Sequence, residues 1–242
     1  MNDTIRSLFE RKSVRVFDGS AITAEEKELI LLSAVQAPTA GNQQMYSILD
    51  ITSQELKDRL AVTCDNQPFI ATAPLVLIFC ADMQKWYDAF TAAGCAPREP
   101  GAGDLLLAEA DAFIAAQNAV VAAQSMGIGS CYIGDILERC EEHRELLSLP
   151  DHVVPVCMLV FGRPTKAQLE RIKPLRHKLG DIVMENGYKR KDEAALREMF
   201  REKSADKGFD AWMQAFCARK YNSDFSREMS RSAEKYLEKF RA

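Results

Sequence analysis

The run Asp104 to Met126, "DLLLAEADAFIAAQNAVVAAQSM", limits more than any other segment what this chain can become. As a helix its 23 residues make a rod about 34 Å long at 1.5 Å per residue. Most of its positions are Ala, Leu, Val, Ile or Phe. Glu109, Asp111, Gln117, Asn118 and Gln124 interrupt it too often for a lipid-facing span. A helix apolar on most faces belongs in the middle of a large core or across an interface between subunits, and the sequence leaves both open.

The 242 residues, 47% hydrophobic and 27% charged, suffice for a substantial core and fit one domain, or one domain with an elaborated tail. A net charge of −4 argues against generic binding to nucleic acid or acidic membranes. The charge is uneven: residues 189–242 hold 14 Lys and Arg against 10 Asp and Glu, leaving 17 against 25 before them. Cationic clusters in the acidic part are therefore informative. The seven cysteines are scattered and form no CxxC, which speaks against a disulfide framework and against a metal site. The amino terminus "MNDTIRSLFERKS" has no secretory h-region. The chain reads as a cytoplasmic protein with no nucleic-acid or membrane partner.

Periodicity supplies the elements. Residues 3–10 form a short helix. Thr23 and Glu26 make a capping box for a helix that Pro38 ends, and Thr52 with Glu55 opens another reaching Val62. "MYSILDI", "LVLIFCA" and "VVPVCMLVFG" read as strands, the last two buried on both faces, with Pro155 forcing an edge or a bulge. "GIGSCYIGD" reads as a helix stop and turn whose glycines admit a flat ligand to the backbone, with Asp135 capping a helix through Leu147. Its spacing is not G-x-G-x-x-G, so it is no Rossmann fingerprint. Asp192 opens a tail helix and another starts near Phe225. Strands and helices alternate without regular βαβ units, which favours an α+β fold.

"ERKSVRVF" poses the functional question. In an extended segment Arg11, Ser13 and Arg15 share one side, and two guanidinium groups with one hydroxyl suit a phosphate. A solvated polar face is the alternative. Lys173 and Arg176 form a second cluster with the same two readings. His143, His152 and His177 are isolated, the first two among charged and loop residues as surface histidines, and no P-loop or nucleophile elbow appears. An enzyme of this kind borrows its reactive centre.

Taken in order, "ERKSVRVF", "APTAGNQQMY", "DNQPFI", "AAQSMGIGSCYIGDI" and "PVCMLVFGRPT" resemble the nitroreductase family over essentially the whole chain. The likeness is to its NADPH-dependent flavin reductase and major oxygen-insensitive nitroreductase branch. The resemblance implies a mixed, mostly antiparallel sheet flanked by helices, with the long helix at the interface of an interlocked homodimer. Residues 1–188 would form the FMN-binding domain and 189–242 a helical extension of the same structural unit, sharing in the nucleotide and substrate cleft. FMN would be gripped by Arg11, Lys12, Ser13 and Arg15 at its phosphate and ribityl chain, with Lys173 reaching the phosphate and Arg176 standing one position off the family's Lys-Pro-Arg. Thr39, Asn42 and Gln43 would lie against the ring or ribityl chain, Gln67 at the ring edge, and Tyr132, Ile133 and Gly134 along the ring. Asp135 stands where relatives often keep a second glycine. Arg219 and Lys220 would meet the 2′-phosphate of NADPH.

The implied activity is ping-pong hydride transfer from NADPH or NADH to nitroaromatic, quinone or flavin acceptors. The second reading is a flavin-binding protein of the same fold with another role, a dehalogenase-like enzyme or a non-catalytic FMN-binding regulator. Arg15→Ala is expected to weaken FMN retention more than dimerisation, measured by equilibrium dialysis and sedimentation; unchanged FMN affinity would remove the assignment of Arg15.

Overall fold

Strands form where the chain has short apolar runs, and the computed structural model, which describes residues 1–241, contains four. These are β1 (Tyr46–Asp50), β2 (Leu75–Asp82), β3 (Gly129–Ile133) and β4 (Val153–Gly162). They make one sheet in the order β1-β2-β4-β3 with every pair antiparallel. β2 and β4 are central and buried at every position, as unbroken apolar strands must be. The register slips where Phe79 and Cys80 face Cys157 and Pro155, so Val156 is a bulge. β3 ends opposite Met158, so the Pro155 region is also an edge on that side.

The chain divides into two compact units, one of Met1–Arg171 with the residues from Met229 onward, the other Ile172–Glu228. Residues 229–241 belong to the first unit. That unit contains α1 (Asp3–Glu10), α2 (Ala24–Val35), α3 (Gln54–Thr63), α4 (Gln84–Ala92), α5 (Ala102–Ser125), α6 (Cys140–Leu146) and α7 (Lys166–Glu170). The second contains α8 (Leu179–Ile182), α9 (Glu193–Phe200), α10 (Phe209–Lys220) and the first residues of α11 (Asp224–Leu237).

Alternation along the strands gives the sheet two buried faces. Leu75, Leu77 and Phe79 pack with Ile30 and Ala34 of α2 and with Ala108, Ala112, Ala115 and Ala119 of α5. Val76, Ile78 and Cys80 pack with Leu60 and Cys64 near the end of α3 and with Ile70 and Ile136. Alanines on the buried side of α5 let its backbone approach the sheet closely. The other side leaves Leu106, Leu107, Phe113 and Ile114 exposed. By length and hydropathy α5 passes as a membrane span; its packing in the first unit makes it a core helix.

Several expectations are corrected. Ser53, not Thr52, caps α3, its hydroxyl accepting from Leu56 N at 3.3 Å. The segment after Gly127 is strand β3 rather than a turn. Asp135 caps no helix: it opens a short 3-10 turn, and α6 starts only after Arg139 adopts a left-handed conformation. α4 and α10 were not anticipated. His143 and His152 are buried. His143 lies on the inner face of α6, its Nδ1 2.9 Å from Ile136 O and its Nε2 2.8 Å from Thr63 Oγ1. Burial lowers its pKa below the usual histidine value.

Beyond α1 the chain runs extended along the free edge of β3. Ser13 pairs in parallel with Ser130, Val14 N donates to Ser130 O at 3.0 Å, and Phe17 bridges to Pro164. Two glycines make this approach possible: a Cβ on Gly129 would stand 2.5 Å from Val14 Cγ2, and one on Gly162 2.4 Å from Phe17 Cδ1. Gly129→Ala must displace buried, β-branched Val14 and is expected to cost about 1–3 kcal/mol in urea unfolding. A change within about 0.5 kcal/mol, as at an unconstrained surface site, would contradict the close approach.

Candidate functional site

The edge segment presents its odd-numbered polar residues together. Val14 points inward, while Arg15, Ser13 and Arg11 all act on the thiol of Cys131 in β3. Burial raises the pKa of that thiol, and these three neighbours oppose the rise. The Arg11 guanidinium carbon lies 5.7 Å from the Tyr132 ring centroid, and that of Arg15 5.9 Å from the Phe69 ring. The period-2 expectation for this segment therefore describes its geometry.

Lys12 has another task. Its ammonium donates to the carbonyls of Leu169 and Arg171, at the end of α7. Cations at a helix C-terminus satisfy unpaired carbonyls and meet the negative end of the dipole. The Arg171 guanidinium in turn donates to Ser13 O, and Gln168 Oε1 accepts from Arg15 N at 3.3 Å. Arg171 is thus a third guanidinium beside Arg11 and Arg15. Its place in "LERIKPLR", two residues before the Lys173 and Arg176 cluster, is the signal in the sequence that marks it.

Gln67 follows a sharp turn in which Asp65 and Asn66 both have positive φ, 61° and 51°. Asp and Asn are the side chains that best tolerate this region. Gln67 Nε2 donates to Cys64 O at 2.9 Å and to Asp135 Oδ2 at 3.0 Å. Between Asp135 and β3 stands Gly134, exposed, with nothing within 4 Å of a would-be Cβ. Ile133 is buried, and the half-buried Tyr132 donates from its hydroxyl to Gln117 Oε1 at 3.3 Å. β3 therefore ends in an open step beside a glutamine and a carboxylate.

Loop 39–45 is anchored elsewhere. Buried Asp111 of α5 accepts from Ala40 N at 2.9 Å and from Met45 N at 3.2 Å. A buried carboxylate on two backbone N–H groups is a strong fixture. Thr39 Oγ1 accepts from Gln44 N at 3.1 Å, and Trp86 Nε1 donates to Gln43 O at 2.8 Å. Asn42 is exposed with φ 55°. A cavity of about 370 Å³ adjoins Gln43 and Met45, lined largely by Trp86, Phe90, Leu107 and prolines, with Cys95. In the sequence Asp111 is only an interruption of an apolar helix, and no spacing rule ties it to residues 71 and 66 positions earlier.

Lys173, Arg176, Arg219 and Lys220 belong to the second unit. Arg176 and Lys220 are exposed there; Arg219 stacks over Phe216 at 5.4 Å and Lys220 over Phe225 at 5.8 Å.

The arrangement in the first unit suits a flat ligand carrying an anion: guanidinium groups and a hydroxyl for the charge, bare backbone at Gly134 for the plane. Comparison with known proteins points the same way. The family model described as Nitroreductase family matches residues 8–163. The chain is 35% identical over 190 residues to a protein of Bacillus subtilis strain 168 named FMN reductase (NADPH), covering 78% of this chain and 75% of that one. It is 34% identical over 197 residues to the oxygen-insensitive NADPH nitroreductase of Salmonella typhimurium, covering 81% and 79%. The solved structure of Bacillus megaterium NfrA2 superposes with a TM-score of 0.83 at 29% identity over 100% of this chain and 99% of that one. On these grounds the chain belongs to the nitroreductase family.

Proposed function

We propose that the protein is an FMN-dependent NAD(P)H oxidoreductase that passes electrons to nitroaromatic, quinone or flavin acceptors. The observation that carries this reading is the convergence of Arg11, Ser13 and Arg15 on one side of the edge segment, one strand away from the open step at Gly134, in a member of the nitroreductase family. Bound FMN supplies a two-electron carrier that takes hydride from a nicotinamide and gives it to the acceptor.

Each part of the chain has a role in that reading. Arg11, Ser13, Arg15 and Arg171 hold the phosphate, and Lys12 fixes the end of α7 so that Arg171 stays at Ser13. Gln67 addresses the ring edge, and Tyr132, Ile133 and Gly134 flank the ring. N–H donors set before the reaction stabilise negative charge as it develops, without reorganisation. Proton-shuttling side chains are dispensable when transfer depends on stacking geometry.

A homodimer accounts for two further observations. Leu106, Leu107, Phe113 and Ile114 of α5 are exposed, as are Leu29, Leu32 and Val35 of α2, apolar side chains on two helices that pack together and that a second subunit would cover. The loop with Thr39, Asn42 and Gln43 hangs on α5 and Trp86, whereas the phosphate and ring-edge residues hang on β3, α3 and α7. In a dimer the loop of each chain completes the cleft of the other. The cavity beside Gln43, with its aromatic lining, suits the body of a planar acceptor. Arg219 and Lys220 favour NADPH over NADH through the 2′-phosphate. All seven cysteines are free thiols, which accords with a cytoplasmic location.

An anaerobic titration tests the reading. The protein loaded with FMN is mixed with NADPH or NADH, and flavin absorbance is followed. Rapid bleaching, faster with NADPH, is expected. Bound flavin that neither nucleotide reduces would favour the regulator, and failure to take up FMN would overturn the reading altogether.

A further inference from the structure

We propose that Asp135 is a positioning residue that turns Gln67 into a pure hydrogen-bond acceptor toward the bound ring and, by its charge, disfavours the reduced flavin. The inference rests on the FMN reading above and adds to it a determinant of the ring's redox balance.

The argument starts from hydrogen counting. A glutamine amide has two N–H hydrogens and one oxygen. Gln67 Nε2 donates at 2.9 Å to Cys64 O and at 3.0 Å to Asp135 Oδ2. A peptide carbonyl and a carboxylate only accept, so exchanging amide nitrogen and oxygen would set oxygen against oxygen twice. The usual ambiguity of amide orientation is thereby removed. Both hydrogens are spent inside the protein, and only Oε1 is left for a ligand. Toward a ring edge Gln67 can therefore recognise an N–H group and not a carbonyl. Oxidised isoalloxazine carries one ring N–H, in its imide; its other edge heteroatoms accept.

The surroundings hold both partners still. Gln67 N donates to Ala61 O at 2.8 Å, and Ile70 N donates to Gln67 O at 3.1 Å, fixing the turn on both sides. Asp135 sits in a 3-10 turn closed by Leu137 N on Gly134 O at 3.0 Å and by Glu138 N on Asp135 O at 3.0 Å. The fully buried His143 then bridges the two segments, with Nδ1 at Ile136 O and Nε2 at Thr63 Oγ1. The carbonyl must accept from Nδ1–H, which leaves Nε2 to accept from the threonine hydroxyl. Position 135 adjoins the open step at Gly134, so its carboxylate stands near whatever plane occupies that step. Like charge disfavours an anionic reduced ring.

The test uses the full-length protein with FMN as probe. Apoprotein binding is followed by quenching of FMN fluorescence, and midpoint potentials are measured on the loaded protein for wild type, Asp135→Asn, Asp135→Ala, Gln67→Ala and the Ala/Ala double variant. Asp135→Asn keeps the shape and removes the charge. It is expected to favour reduced over oxidised FMN at least tenfold relative to wild type, a positive shift of about 30 mV for a two-electron couple. Asp135→Ala and Gln67→Ala are expected to affect oxidised-FMN affinity non-additively, with coupling of at least fivefold. Thermal unfolding of each variant separates this from a loss of fold, since a purely structural role would move stability and leave the potential in place. An unshifted potential together with additive effects would overturn the assignment of Asp135 while leaving the FMN reading intact. Wild-type protein that binds no FMN would overturn both.

Discussion

Everything at this site depends on one seam, where residues 13–17 lie against the edge formed by β3 and the end of β4. The seam has few polar bonds, chiefly Val14 N on Ser130 O and Asp18 N on Arg163 O, each at 3.0 Å. What makes it possible is missing matter. Gly129 and Gly162 have no Cβ, and Val14 and Phe17 fill the space that one would occupy. With Val14 seated inward, its neighbours Ser13 and Arg15 turn to the opposite side, because side chains alternate along an extended segment. Ser13 and Arg15 must face together. The charge is arranged by hydrophobic packing.

The rest of the first unit supplies the fixtures around that seam. Lys12 and Arg171 bind the end of α7 to it. After α3, the left-handed Asp65 and Asn66 turn the chain so that Gln67 can reach Asp135, and buried His143 holds the two supports together. α5 has two functions. Its alanines bring it onto the sheet, and its single buried carboxylate, Asp111, gathers the 39–45 loop. Fixed geometry of this kind is what a protein contributes when the reactive group is borrowed.

Much of this was legible in the sequence, for identifiable reasons. β1, β2 and β4 are apolar runs of strand length, and the box of Thr23 and Glu26 forms as its spacing requires. The common side of Arg11, Ser13 and Arg15 needed only a period of two. β3 was illegible because it is five residues long, opens with glycine directly after a helix, and owes its existence to β4 and the edge segment, both distant in sequence. His143 looked exposed because its sequence neighbours are charged, yet one face of α6 is buried and those neighbours occupy the other. Ser53 and Thr52 are equivalent in local chemistry, and only backbone conformation chooses the cap. Asp111, Arg171 and the Gln67–Asp135 pair depend on contacts across tens of residues, which no local pattern encodes.

The central claim is that this seam assembles an anion site for the phosphate end of a flat cofactor. Calorimetric titration of the apoprotein with FMN and with riboflavin, which lacks only the phosphate, tests it most directly. FMN is expected to bind at least about a hundredfold more tightly, roughly 2.7 kcal/mol, with a gap that narrows as salt rises because guanidinium–phosphate attraction is screened. Equal affinity for the two ligands at low salt would contradict the account.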